Sequence, residues 1–453
     1  MLFHSPPFLI FLVLFIVSLN LFKGENRIVY TCICSYIFYG WWYPPYTPVL
    51  LGLSLYAHYF AKSNILLRYG IWPVALLGVL PLVFFKYTGF ILDNVETLTG
   101  TAFTFDHNWA LPLGISFITF TAIAYIIDTR RGQADVERSF WHTALFISFF
   151  PQLIAGPILR ARELMPQLSK IEFDSAAVKP ALFLFAIGAL KKVGVADQLA
   201  PIVDQIYSGD APIDSAMAVL VFYAFSIQIY CDFSGYTDMA LALGLLLKVN
   251  LPLNFNSPYT ATSIRDFWRR WHMTLSRWLR DYLYIPLGGS QKGLSRMIFA
   301  AMATMLLGGL WHGAAWTFVV WGGLHGLFVV AEHLAEKNNF KFGSIPSWVR
   351  IFVVFHLVGL TWIFFRAPSF SRAWDVLVGF TIPGDIIVFS SAPLAPLLII
   401  AVLAFHPFDK MPRITAFAVR AGSAIILPMS LMLILICAAL SVNNPSAFIY
   451  FDF

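Results

Sequence analysis

Charge is what this sequence has least of: Asp, Glu, Lys and Arg together make up 12% of 453 residues, about half their share in ordinary soluble domains. So few charged side chains cannot cover a globular surface in water, and the mean hydropathy of +0.73 agrees. A soluble domain is excluded, and no nucleic-acid partner is expected. Cysteine is scarce too. Cys32, Cys34, Cys231 and Cys437 all lie in apolar runs, without the spacing of a disulfide framework or a zinc site. Buried free thiols and no metal are therefore expected. No internal repeat and no Ser/Gly or Pro linker divides the chain, so a single domain over 1–453 is the simplest organisation. No basic stretch precedes the first apolar run and no small-x-small site follows it, so residues 8–22 predict a retained span rather than a cleaved signal.

What is abundant is apolar residue in separate runs, and a bilayer-spanning helix needs only about 20 of them. Candidate spans or embedded segments lie near 8–22, 28–43, 46–61, 71–92, 109–127, 140–159, 180–196, 216–233, 236–249, 297–334, 350–366, 393–406 and 423–441. The run 297–334 has room for two passes. Runs broken by Gly and Pro, such as 140–159, need not cross fully, because irregular backbone is tolerated at membrane depth when protein shelters it. The expectation is an all-α polytopic membrane bundle with about 11 crossings.

Between Arg265 and Arg296 lie seven of the thirty basic residues against only Asp266 and Asp281, which gives this stretch +5 of the net +6. By the positive-inside rule it faces the cytoplasm. Arg130, Arg131 and Arg138, with Arg160 and Arg162, are smaller candidates for that side, while Lys191 and Lys192 belong there or line a cavity.

Within this stretch, residues 263–284 read SIRDFWRRWHMTLSRWLRDYLY, without Pro or Gly. Phe267, Trp271, Leu275, Trp278 and Leu279 share one stripe at 3.6 residues per turn, which predicts an amphipathic helix at the membrane interface. Its aromatics then serve as interfacial anchors and its arginines as contacts for anionic lipid, or the segment carries chemistry. His272 favours the second, since it sits among cations and aromatics, and Arg269 and Arg270 would disfavour its protonated form. A neutral imidazole can act as base or hydrogen-bond partner.

Two further constellations interrupt apolar runs. In GGLWHGAAWTFVVWGGLHG (308–326) His312 and His325 stand among glycine and tryptophan, and an ionisable residue at membrane depth is a functional candidate by default. Gly308, Gly309 and Gly313 would let a ligand or a neighbouring helix come close. In QIYCDFSGYTDMA (228–240), Asp232 and Asp238 need partners in a low dielectric, and the arginines of 265–280 are the obvious ones. That role is either structural or one of orienting a catalytic histidine.

LPLGISFITF (111–120), FFPQLIAGPILR (149–160), QIYCDFSGYTDMA (228–240), NFNSPYTATSIRDFWRRWHMTLSRWLRDYLYIPLGG (254–289) and LLGGLWHGAAWTFVVWGGLHG (306–326), together with the closing FIYFDF, resemble the membrane-bound O-acyltransferase family. The likeness is to its bacterial alginate O-acetylation branch, in the family's order and over nearly the whole chain. It implies a helical bundle with re-entrant or interfacial helices around a central funnel. It places the family's essential histidine on His312, in Leu-Trp-His-Gly, and its second characteristic position on His272. Ala300 stands where relatives often carry Asn, and Ser290-Gln291 where Asn-Arg is common; neither departure removes a proposed catalytic group.

On this resemblance His312 is the base at the end of a passage through the membrane, His272 orients or polarises, and Arg269, Arg270, Arg277 and Arg280 meet the phosphates of the acyl donor. Trp311, Asp232, Asp238 and His325 complete the candidate binding residues. The donor is acetyl-CoA or another phosphopantetheine thioester, with no bound cofactor. The resemblance further implies a multi-pass protein of the bacterial inner membrane. It would pass acetyl groups across the bilayer to an extracytoplasmic SGNH-type acetyltransferase acting on polysaccharide. Peptidoglycan, cellulose or D-alanylated teichoic acid are other acceptors within the family. A transporter or export channel is the rival outside it, but such proteins often show two related halves, and none is visible.

Overall fold

A computed structural model describes residues 1–63, 70–101, 109–154, 156–209, 211–340, 342–385, 392–443, 448 and 449. Every regular element among them is helical. They divide into two compact units, Met1–Phe185 with Tyr236–Pro252, and Ala186–Gly235 with Leu253–Phe453.

The first unit begins with α1 (Pro6–Leu19), α2 (Gly24–Gly40) and α3 (Thr47–Lys62). Next come α4 (Ile71–Leu82) and α5 (Thr88–Thr99), joined by a π-helical turn at Val83–Tyr87. Pro81 explains that turn: it lacks an N–H and its ring crowds the preceding turn, so the hydrogen-bond ladder re-registers just beyond it. Then follow α6 (Ile115–Arg130), α7 (Phe140–Ser148) and α8 (Ala161–Leu168). Helix α6 packs on α3 and is buried from Ile115 to Asp128, which is why its sequence is apolar all round rather than striped. All four cysteines are buried free thiols, as expected.

Two helices contribute to both units, α9 (Val178–Ala189) and α11 (Ser215–Leu246), with α10 (Asp197–Ser208) between them. The runs 216–233 and 236–249 do not form two segments: Ser234 and Gly235 continue one 32-residue helix. Gly235 is where a neighbour comes close, since a methyl there would lie 2.5 Å from the Gly188 carbonyl.

The second unit continues with α12 (Ile264–Trp268), α13 (Met273–Leu279), α14 (Leu294–His312), α15 (Trp316–Lys337), α16 (Ser347–Arg366), α17 (Phe370–Gly379), α18 (Leu394–Phe405), α19 (Met411–Arg420) and α20 (Ser423–Asn443). Helices α14 and α15 form its most intimate pair. Gly309 and Gly322 let them touch backbone to backbone, and a side chain at Gly309 would run into the Phe318 carbonyl. The glycines at 309 and 313 thus admit protein, Gly313 being covered by the Phe318 ring.

Six helices are long and apolar enough to cross a bilayer among the described residues, or seven if the pair α18 and α19, bent by 81°, is one broken span. The expected count of about 11 is not confirmed. Several runs fold as 14- to 17-residue helices, α1, α2, α3 and α6 among them, and at 1.5 Å per residue these fall short of a hydrocarbon core roughly 30 Å thick. The outward faces of the apolar helices suit lipid: Ile10, Leu76 and Leu435 are 63%, 67% and 69% exposed.

Candidate active site

The stretch 263–284 is not one amphipathic helix. It breaks at His272, which adopts a left-handed backbone (φ 42°) between α12 and α13. The reason is tertiary. Residues 254–256 run alongside, so that Asn256 N–H donates to the Arg270 carbonyl and Met273 N–H to the Asn254 carbonyl. The Asn254 side-chain oxygen accepts from the Thr274 N–H (3.2 Å), the Thr274 hydroxyl (2.9 Å) and His272 Nδ1 (3.1 Å). These bonds replace the helical ladder and offset the roughly 1–2 kcal/mol that a left-handed residue costs.

Asn254 also fixes the tautomer. An amide oxygen only accepts, so His272 carries its proton on Nδ1 and Nε2 is the basic nitrogen. Burial holds its pKa down to about 3, so the ring is neutral at pH 7, and burial rather than the adjacent arginines is the cause. Asn254→Ala would strand buried donors and is expected to lower stability by about 1–3 kcal/mol. A drop in the thermal midpoint that Asn254→Asp largely avoids would confirm the acceptor role.

The aromatics of this stretch are core, not interfacial anchors. Trp271 is 1% exposed and stacks on Phe267 at 5.6 Å, and Trp278 is also buried.

His312 is the last residue of α14 and 3% exposed. Edge-on contacts with Trp311 (4.8 Å), Trp321 (5.0 Å) and Phe365 (5.3 Å) enclose its ring. The Trp311 ring neighbours both candidate histidines, with its centroid 4.8 Å from that of His312 and 6.2 Å from that of His272.

Three of the four predicted donor arginines come together. Arg269, Arg277 and Arg280 line a cavity of about 580 Å³ whose other walls include Met273, Leu279, Met297, Ala301, Thr304 and Met305. His312 is not among the residues lining it. Arg269 is exposed and has no ion pair among the described residues. Arg280 pairs with the adjacent Asp281 at 2.7 Å. Arg270 is directed elsewhere, held by Asp266 at 2.9 Å.

Sequence reasoning missed what fixes this wall. Buried Glu332 on α15 accepts from the Ile264 N–H (2.8 Å), the Arg265 N–H (3.2 Å) and Arg265 Nε (2.6 Å), satisfying the exposed amides at the start of α12. It is the only carboxylate between 297 and 334, and that was the available signal.

Asp232 does not pair with the arginines of 265–280, of which Arg265, Arg270 and Arg280 use Glu332, Glu336, Asp266 and Asp281 instead. Its partner is Lys192, at 2.5 Å, which also binds Asp197 at 2.7 Å. A π-helical turn at Leu190–Ala196 places Lys192 there and aims Lys191 at Asp409 (3.0 Å), which also accepts from the Tyr230 hydroxyl. Asp232 accepts in addition from the Ile449 N–H at 2.8 Å. Asp238 is buried and belongs to the first unit. His325 is fully buried; its Nε2 meets the Thr361 hydroxyl at 2.9 Å and its ring packs against Phe267, Trp268 and Trp321. That is the setting of a core histidine held through Nε2, with Nδ1 buried and without a hydrogen-bond partner among the described residues.

Residues 133–342 match the family described as MBOAT, membrane-bound O-acyltransferase family. The chain is 34% identical to the probable alginate O-acetylase of Pseudomonas putida, with both proteins covered in full. It is 37% identical to the peptidoglycan O-acetyltransferase of Helicobacter pylori, over 77% of this chain and 72% of that protein. With the teichoic acid D-alanyltransferase of Bacillus subtilis the identity is 29%, over 58% of this chain and 71% of that one. The chain therefore belongs to the membrane-bound O-acyltransferase family and is a multi-pass membrane O-acyltransferase.

Proposed function

We propose that this protein takes an acetyl group from a cytoplasmic thioester, acetyl-CoA or an acylated phosphopantetheine carrier, and passes it across the bacterial inner membrane for O-acetylation of an exopolysaccharide such as alginate. An extracytoplasmic SGNH-type acetyltransferase completes the transfer. The observation that carries the reading is the position of Trp311. Its ring packs against both His272 and His312, at the end of a helix whose earlier turns wall an arginine-lined cavity.

In this reaction the incoming hydroxyl gives its proton to His312, its oxygen bonds the acetyl carbon, and the C–S bond breaks as the thiolate takes up a proton. Positioned proton transfer contributes about 100- to 10,000-fold. The His272 ring, neutral and fixed in one tautomer, orients or polarises the reacting groups. The ring of His312 is enclosed, so turnover requires its aromatic neighbours to open. The cavity arginines meet donor phosphates, since guanidinium pairs with phosphate through charge-assisted hydrogen bonds.

Two measurements test this. Proteoliposomes supplied with labelled acetyl-CoA are expected to release coenzyme A and transfer label; solute uptake without thioester cleavage would favour a transporter instead. Arg269→Gln combined with Arg277→Gln is expected to raise the donor KM about tenfold or more, as loss of charged hydrogen bonds implies, with kcat little changed. The acceptor is settled by which polymer loses acetyl groups on deletion. Loss from peptidoglycan rather than an exopolysaccharide would assign the activity named for the Helicobacter pylori relative.

A further inference from the structure

Along α14 the residues Met297, Ala301, Thr304, Gly308 and Trp311 follow one stripe at spacings of four, three, four and three. Met297, Ala301 and Thr304 wall the arginine cavity. Gly308 then meets Leu279, another cavity residue, with a Cβ position 3.3 Å from its methyl. The stripe ends on Trp311, whose ring neighbours both histidines. It forms a track of about 10 Å from Thr304 to Trp311 at 1.5 Å per residue.

Thr304 is the anomaly on that track. The residue is 5% exposed, and its hydroxyl has no hydrogen-bond partner among the described residues. Thr31, Ser54, Thr121 and Ser226, also in helices, bond the carbonyl one turn back. Thr304 does not, and neither do Thr119, Ser234 and Thr237, although such back-bonding is an ordinary resource of a buried helical hydroxyl; of these four, Thr304 is the one that lines the cavity. Leaving a buried polar group unpaired costs about 1–3 kcal/mol.

We propose that Thr304 is a donor-arm contact: its hydroxyl donates to an amide carbonyl of a phosphopantetheine chain lying along this stripe. The inference rests on the donor reading above and deepens it. A phosphopantetheine thioester has an anionic end, a run of methyl and methylene groups, and isolated amides. The cavity offers Arg269, Arg277 and Arg280 for the first, Met273, Leu279, Met297 and Met305 for the second, and Thr304 for one of the third. An apolar acyl chain would leave the Thr304 hydroxyl unused.

The test is equilibrium binding of coenzyme A to the detergent-solubilised full chain. Thr304→Val, isosteric and without the hydroxyl, is expected to weaken binding about three- to tenfold, the range of one hydrogen bond. Thr304→Ser should stay within about twofold of the parent, because it keeps the donor. Arg269→Gln tests the donor reading separately. Weakening by Arg269→Gln with Thr304→Val unchanged overturns the Thr304 assignment and leaves the donor reading standing. No binding by the parent chain, or equal binding by all variants, overturns both. Equal weakening by Val and Ser makes shape rather than the hydroxyl responsible and also overturns the assignment. So does binding of short-chain phosphatidylglycerol that responds to Thr304→Val, which would give the cavity to a lipid headgroup. Folding is no obstacle, because an unpaired buried hydroxyl replaced by a methyl is expected to leave the thermal midpoint unchanged or raised.

Discussion

His312→Ala is expected to lower acyl transfer by about two to four orders of magnitude, the contribution of a positioned proton acceptor, while the chain still inserts and binds coenzyme A. The ring touches Trp311, Trp321 and Phe365, so alanine also leaves a void in an aromatic cluster. His312→Gln separates the two effects, since it fills most of the volume and keeps hydrogen-bonding capacity but cannot take up a proton at neutral pH. Both variants should be inactive, with only the alanine form losing stability. Retained acetylation by either, at normal membrane levels, removes His312 as the base. His272 should behave differently. Its role is carried by one fixed tautomer, so His272→Asn, which still reaches a partner with an amide, is expected to retain more activity than His312→Gln.

The second large effect concerns stability. Lys192→Met is expected to cost about 3–5 kcal/mol, the usual penalty for removing one member of a buried ionic group. The lysine is 1% exposed and stands between Asp197 and Asp232; without it two carboxylates share a low-dielectric site with no cation. Asp232→Asn in the same chain should recover part of the loss, because it removes one of the stranded charges and keeps an oxygen for the Ile449 N–H. The thermal midpoint in detergent reads both. A single variant as stable as the parent, or a double variant no better than the single one, would show that the triad does not act as a unit.

Much of this protein was legible in its residues. The shortage of charge and the length of the apolar runs required a helical membrane protein, because in lipid only a helix satisfies its own backbone within one segment. The five motif segments were enough to identify the family. The same residues located the basic stretch and pointed to the two histidines now found in contact with the Trp311 ring.

Other features depended on contacts remote in sequence. A pattern of 3.6 residues per turn reports only on neighbours three and four apart. It therefore continues a helix through 263–284, whereas hydrogen bonds from 254–256 break it at His272. It equally treats Ser234-Gly235 as a possible break, where one helix continues and Gly235 lies close against the Gly188 carbonyl. The partner of Asp232 was unreadable for a related reason. Burying a carboxylate costs several kcal/mol whatever the sequence says, but the π-helical turn that delivers Lys192, and the capture of Arg265, Arg270 and Arg280 by Glu332, Asp266 and Asp281, exist only after folding. Composition thus determined the solvent this chain folds in, and the motif segments the family it resembles. The tertiary structure alone decided which buried polar groups meet, because their desolvation is relieved by partners that the chain brings together from as far as 217 residues away.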